Sequence, residues 1–394
     1  MNHRKNIALL AAAQALLLTN GITLITINGL LGLQLATDKR LATLPFTTYV
    51  IGAALATIPA AFFMKRHGRR AGFMLGAGSG MLGALIATFA VSIGSFWLLC
   101  FGTIFAGIYN AFGQQYRFAA ADAAPLEWKS KAISLTLAGG IIGGVIGPGV
   151  GKLTRTLFEP TYLASYCALI GFAALSMLIA SRLDIPPLSV AEQKAVGRPL
   201  RQIARQPAFV VAVLAAACGY GVMNLLMTAT PLAMDICGLP FADTVFILQW
   251  HVIAMFAPSF FTGGLIKRFG VLNILMVGAA LMFVCIGIAL SGITLMHFWW
   301  ALVLLGIGWN FLFIGGTTLL TETYRPEEKA KVQGSNDFIV LGVQGLTSLS
   351  SGVLVTSEGW ASLNIWALPI VAMTTLASML LWLYRRSSHS RESP

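Results

Sequence analysis

Four side chains in the C-terminal part of the sequence have types and spacing suited to a soft metal ion: Met223, Met227, His251 and Met255. The stretch MNLLM sets two thioethers four residues apart, and HVIAM sets an imidazole four residues before a third thioether. Residues four apart share one face of a helix, so each pair is a two-donor set. Thioether sulfur selects monovalent copper and imidazole suits copper well, whereas magnesium or calcium would require oxygen ligands. A second reading stands beside this one. Met is common as flexible core filler, and a buried imidazole is equally satisfied by a hydrogen bond from its neighbourhood.

The elements that must position these residues are membrane spans. Of the 394 residues 57% are hydrophobic and only 10% charged, against about a quarter charged in soluble domains, and the mean hydropathy is +0.79. Apolar segments of spanning length lie near 7–36, 43–63, 71–91, 96–118, 132–158 and 162–181, then near 207–233, 242–264, 273–292, 297–323, 332–356 and 360–384. The bilayer offers backbone groups no partners, so these segments are expected to be helices. The fold expected is thus an all-α membrane protein of twelve transmembrane helices. Its parts are an N-terminal six-helix half (1–181), a linker (182–206), a C-terminal six-helix half (207–384) and a tail (385–394). The seventh span ascends and the eighth descends, which puts Met223 about 15 Å and His251 about 14 Å below the outer surface. If the two faces converge, the four residues form one copper site near the midplane.

The net charge of +12 follows the loops and is a topology signal. Clusters such as Lys65, Arg66, Arg69 and Arg70, or Arg198, Arg201 and Arg205, fall on one side, while the other holds Lys39, Arg40, Lys152 and Arg155. Positive charge inside puts both termini and the linker in the cytoplasm, and no nucleic-acid partner is expected. The first apolar segment, after MNHRK, is too long for the core of a cleaved signal peptide. The five cysteines have no C-x-x-C spacing, so neither a disulfide framework nor a zinc site is indicated. Cys237, in an outer loop, is a candidate to receive or reduce copper before entry.

An internal repeat gives the architecture. MKRHGRRAGFMLG (64–76) and IKRFGVLNILMVG (266–278) align at an offset of 202, with Lys65, Arg66, Gly68 and Gly76 matching Lys267, Arg268, Gly270 and Gly278. Two parallel six-helix repeats are expected of a rocking transporter. The chain resembles the major facilitator superfamily over essentially its whole length. The KR-x-G turns are similar to that family's basic loop, with Lys65 and Lys267 where the family usually has an acid, and GGIIGGVIGPGVG (139–151) is similar to its glycine-rich fifth-helix motif. Gly139, Gly143, Gly147 and Gly151 also form a smooth ridge that another helix can approach closely.

Polar residues inside spans are candidates for a wet pathway or for interhelical bonds: Thr19, Asn20, Thr23 and Thr26, Asn110 and Gln114, Asn224, Gln249, Asn310 and Gln344. The acids cluster at helix ends and loops, with none placed at mid-depth. Arg117 is expected to pair with Asp122 or Glu322. MNLLM followed by HVIAM on consecutive helices is similar to the CcoA-type copper importers of the superfamily, which supply copper for assembly of a cbb-type cytochrome oxidase. The resemblance implies binding roles for Met223, Met227, His251 and Met255, with a copper ion or small copper complex as substrate. The function expected is therefore copper import by alternating access, by a monomer in the bacterial inner membrane, and the alternative is a small-molecule or drug exporter. No resident cofactor is expected. Nor is an enzyme, since no nucleophile with its base, phosphate loop or metal site with an activated water is found.

Overall fold

The computed structural model describes residues 3–37, 41, 44–185 and 197–392. The side chain of Thr26 and residues 38–40 lie outside the described set, as do residues 186–196 of the linker. Sixteen α-helices are described: α1 (His3–Leu35), α2 (Leu44–His67), α3 (Arg69–Ser92), α4 (Phe96–Gly113), α5 (Tyr116–Ala123), α6 (Lys129–Ala138), α7 (Gly140–Thr154) and α8 (Leu163–Ser181), then α9 (Leu200–Ala204), α10 (Pro207–Ile236), α11 (Phe241–Phe256), α12 (Ser259–Phe269), α13 (Val271–Ser291), α14 (Leu295–Leu320), α15 (Lys329–Ser357) and α16 (Gly359–Glu392). Among the described residues ten helices are long and apolar enough to cross a membrane, with α4 and α5 running as one and the segment of α6 and α7 as another. An eleventh crossing is the bent pair α11 and α12, which meet at 40°. The remaining predicted span, 332–356, lies in α15.

The bend in the eighth predicted span has a local cause. Pro258 follows α11, and a proline inside a helical run supplies no N–H to the ladder and crowds the preceding turn. The apolar pattern carries on through the break, which is why the span reads as continuous from composition alone.

The chain divides into two compact units, Met1–Leu126 with Leu135–Gly197 and Pro326–Phe338, and Glu127–Ser134 with Arg198–Arg325 and Ile339–Pro394. In the first unit α4 packs on α2 and α3, while α8 packs on α1 and α3; in the second, α14 packs on α11 and α13, and α16 on α10 and α13. The same pairing scheme occurs twice, as the repeat requires. The repeated turn also has one backbone conformation: Gly68 (φ 87°) and Gly270 (φ 85°) each join one span to the next, a left-handed geometry that glycine adopts without steric penalty.

The glycine ridge is a packing surface in the first unit. A Cβ on Gly139 would meet the carbonyl of Ala11, and one on Gly143 would lie 2.6 Å from Leu18 Cβ and 2.7 Å from the Thr19 backbone nitrogen. At Gly147 the nearest atom would be Ile22 Cβ at 2.9 Å. Helix α7 therefore lies directly on α1, and Thr23 Oγ1 donates across the seam to the Gly147 carbonyl at 3.0 Å.

Candidate functional site

His251 is fully buried, carried by α11 against α14. The two helices approach closely because residue 306 is glycine: a Cβ there would lie 2.8 Å from the His251 carbonyl and 2.9 Å from the Met255 nitrogen. The imidazole Nδ1 lies 2.7 Å from the Leu302 carbonyl oxygen. A carbonyl only accepts, so Nδ1 carries the hydrogen and the neutral ring keeps a lone pair on Nε2. That atom is buried and has no hydrogen-bond partner among the described residues.

Met223 and Met255 are buried, and Met227 is half-buried. His251 and Met255 share one helix face beside α14. Met223 and Met227 lie on α10, whose principal neighbours are α14 and α16. Helix α14 packs against both α10 and α11, which touch each other only sparsely, and no described hydrogen bond joins the two predicted pairs. Among the described residues no group of three or more His, Cys, Asp or Glu could hold a metal ion. Cys237 is a free, half-buried thiol.

Around this point the sequence signals miss an aromatic group. Trp309 on α14 is 2% exposed and stacks on Phe313 at 5.0 Å and 17°. Tyr220 of α10 stands edge-on to both, at 5.3 Å from Trp309 and 5.1 Å from Phe313. Phe256 of α11 meets Trp309 at 5.6 Å. Three helices thus contribute rings to one cluster, and Tyr220 is only half-buried. The indole Nε1 of Trp309, like His251 Nε2, is buried with no hydrogen-bond partner.

Several of the polar residues inside spans make interhelical bonds, one of the two roles expected of them. Asn310 Nδ2 donates to the Met255 carbonyl at 2.7 Å and to Ser259 Oγ at 2.6 Å, and its Oδ1 accepts from Thr262 Oγ1 at 2.7 Å. One amide on α14 thereby grips both sides of the α11 and α12 bend. Asn224 donates to the Gln344 carbonyl and to Thr347 Oγ1 on α15, and Asn20 to the Leu169 carbonyl at 3.3 Å. Gln249 is exposed.

The expected partners of Arg117 are corrected. It pairs with Asp337, both residues being 2% exposed, while Glu322 pairs with Arg385 at 2.9 Å. Asp122 is held by Arg69 at 3.1 Å and by Lys329 at 2.8 Å. Gln115 and Asn336 donate to Asp337 at 2.7 and 3.0 Å, and Arg69 donates to Gln115 and Gln333. Asp337, one of the acids expected at helix ends or loops, lies eight residues into α15, about 12 Å along its axis, and is buried.

The sequence profile of the Major Facilitator Superfamily matches residues 9–341. The chain is 41% identical over 383 residues, 96% of each chain, to the riboflavin transporter RfnT of Brucella anthropi. It is 29% identical over 386 residues, 92% of this chain and 87% of the relative, to the uncharacterized transporter YddS of Bacillus subtilis. Its fold is that of the human organic anion transporter TETRAN, with a TM-score of 0.78 at 12% identity, covering 96% of this chain and 100% of that one. The relative matched at 41% identity is thus a riboflavin transporter and not one of the copper importers suggested by the Met and His spacing. The superfamily profile, a relative aligned from end to end and the twice-repeated helix pairing converge: the chain belongs to the major facilitator superfamily, as a multi-pass membrane transporter working by alternating access and not an enzyme.

Proposed function

We propose that this transporter carries riboflavin, or a flavin closely related to it, across a bacterial inner membrane. The observation that carries the reading is 41% identity over 96% of both chains to a riboflavin transporter. Tyr220, the half-buried ring of the cluster it forms with Phe256, Trp309 and Phe313, supports it, because an aromatic ring offers a planar ring system an offset or edge-to-face partner. Half-buried Asn224 lies one turn from Tyr220 on α10; its Nδ2 is engaged by α15, and its amide oxygen is an acceptor suited to a polar substituent. Charge placement supports cytoplasmic termini and a cytoplasmic linker, and a monomer without a resident cofactor completes the reading. Uptake of labelled riboflavin by a flavin-auxotrophic bacterium expressing the chain is the test. Accumulation above the empty-vector control is expected; its absence, with the protein present in the membrane, would overturn the reading.

Copper import is the second reading, and the bare Nε2 of His251 favours it. An imidazole lone pair with the Met255 thioether on the same helix face, and Met223 and Met227 on α10, is a soft donor set that monovalent copper accepts. Under this reading cellular copper falls in a deletion strain and riboflavin uptake is unchanged. The reverse outcome removes copper.

A further inference from the structure

Several buried polar atoms of the second unit lack partners among the described residues, Trp299 Nε1, Thr317 Oγ1, Thr318 Oγ1 and Asn364 Oδ1 among them, and two of opposite chemistry, His251 Nε2 and Trp309 Nε1, lie on the adjoining helices α11 and α14 that carry the aromatic cluster. Around His251 and Trp309, Asn310 fills both ends of its amide, and Thr262 donates to Asn310 and to the Pro258 carbonyl. Yet His251 Nε2 and Trp309 Nε1 lack partners, although the residues are 0% and 2% exposed. Buried polar atoms are nearly always paired, and leaving one unpaired is unfavourable. The two atoms are chemically opposite. With Nδ1 donating to Leu302, His251 Nε2 is an acceptor, whereas an indole Nε1 can only donate.

This complementarity separates ligand classes. A metal ion would engage the imidazole lone pair and leave the indole N–H unanswered, because a donor N–H cannot ligate a cation. A planar heteroaromatic molecule with a ring N–H and an oxygen substituent answers both atoms, and half-buried Tyr220 of the ring cluster suits its face. We propose that His251 and Trp309 are the specificity pair of this transporter, His251 Nε2 accepting a hydrogen bond from the substrate's ring N–H and Trp309 Nε1 donating to a substrate oxygen. The assignment rests on the flavin reading above and deepens it: riboflavin carries one imide N–H, flanked by two carbonyls, and hydroxyls on its side chain.

The test is fluorescence titration of the purified full-length protein with riboflavin and with 3-methylriboflavin, in which the imide hydrogen is replaced. Loss of one buried hydrogen bond to a ligand corresponds to about 10-fold in affinity. Wild type is expected to prefer riboflavin by about 10-fold. His251→Phe, which keeps a ring and removes the acceptor, should bind both probes equally, with riboflavin weakened by about 10-fold. His251→Gln can donate to Leu302 and still accept, so it should retain the preference; a copper ligand would not be rescued by this change. Trp309→Phe should weaken both probes to the same extent. A His251→Phe protein that keeps the wild-type preference would overturn the proposal while leaving riboflavin transport standing. Should that variant fail to assemble, wild type alone still decides, since equal binding of the two probes would mean that the imide hydrogen is not read. Wild type that binds neither probe would remove the flavin reading itself.

Discussion

Replacing Asp337 by Asn tests the buried ion pair of the first unit. Arg117 and Asp337 are each 2% exposed, and Asp337 also accepts from Gln115 and Asn336. With Arg69, Lys329 and Asp122 the connected group holds three cations and two carboxylates, a formal charge of +1. The substitution raises this to +2 and removes the carboxylate facing a guanidinium that has almost no access to water. Breaking a buried pair from one side typically costs about 3–5 kcal/mol, roughly two to three and a half orders of magnitude in a conformational equilibrium. Removing both charges restores the formal +1 and should cost much less than the two single changes together. Thermal unfolding in detergent of Asp337→Asn, Arg117→Met and the double variant, with substrate uptake measured alongside, gives the cycle. Both single variants should melt well below wild type, and the double variant should recover part of the loss. Simple additivity, or a single variant melting with wild type, would refute the view that these charges depend on each other.

Three further outcomes are expected. Gly143→Val should destabilise the protein by about 1–3 kcal/mol through overpacking against α1, whereas Gly149→Val, where nothing lies within 4 Å of a Cβ, should melt as wild type; equal behaviour of the two would contradict the seam. Asn310→Leu removes three hydrogen bonds at the α11 and α12 bend, each worth about 0.6 kcal/mol in a membrane interior, so a loss near 2 kcal/mol is expected in a detergent-unfolding series and a neutral variant would argue against a fastening role. Reporter fusions within 182–206 should register on the cytoplasmic side, and a periplasmic signal would invert the proposed topology.

The spans were legible because their cause is local: apolar length and the missing backbone partners of the bilayer require a helix wherever such a segment occurs. The repeat was legible for a related reason. Gly68 and Gly270 are demanded by positive φ at the same turn of each half, so the residue itself marks the geometry. Gly139, Gly143 and Gly147 likewise advertise a smooth surface, though only the structure names α1 as what lies on it. The bend between α11 and α12 was missed because Pro258 interrupts the hydrogen-bond ladder without interrupting the hydropathy.

The site was harder to read because depth and direction are separate quantities. Counting residues puts Met223 and His251 at similar heights, since rise per residue is constant. Which way each side chain turns depends on which helix is the neighbour, and here α14 packs against both α10 and α11. The partner of the imidazole is accordingly a backbone carbonyl, that of Leu302, which no side-chain motif can signal. The same reasoning separates Asn310 from Trp309, adjacent on α14. Both are buried polar side chains in an apolar run, so sequence can flag each only as a candidate. The bend left by Pro258 gives Asn310 three partners and turns it into structure, while Trp309 keeps an unanswered N–H. A buried polar residue is therefore informative about substrate in proportion to what its neighbours leave unsatisfied. Under the specificity-pair proposal, the imidazole and indole nitrogens are the atoms left for the substrate, and the thioethers of Met223, Met227 and Met255 are packing.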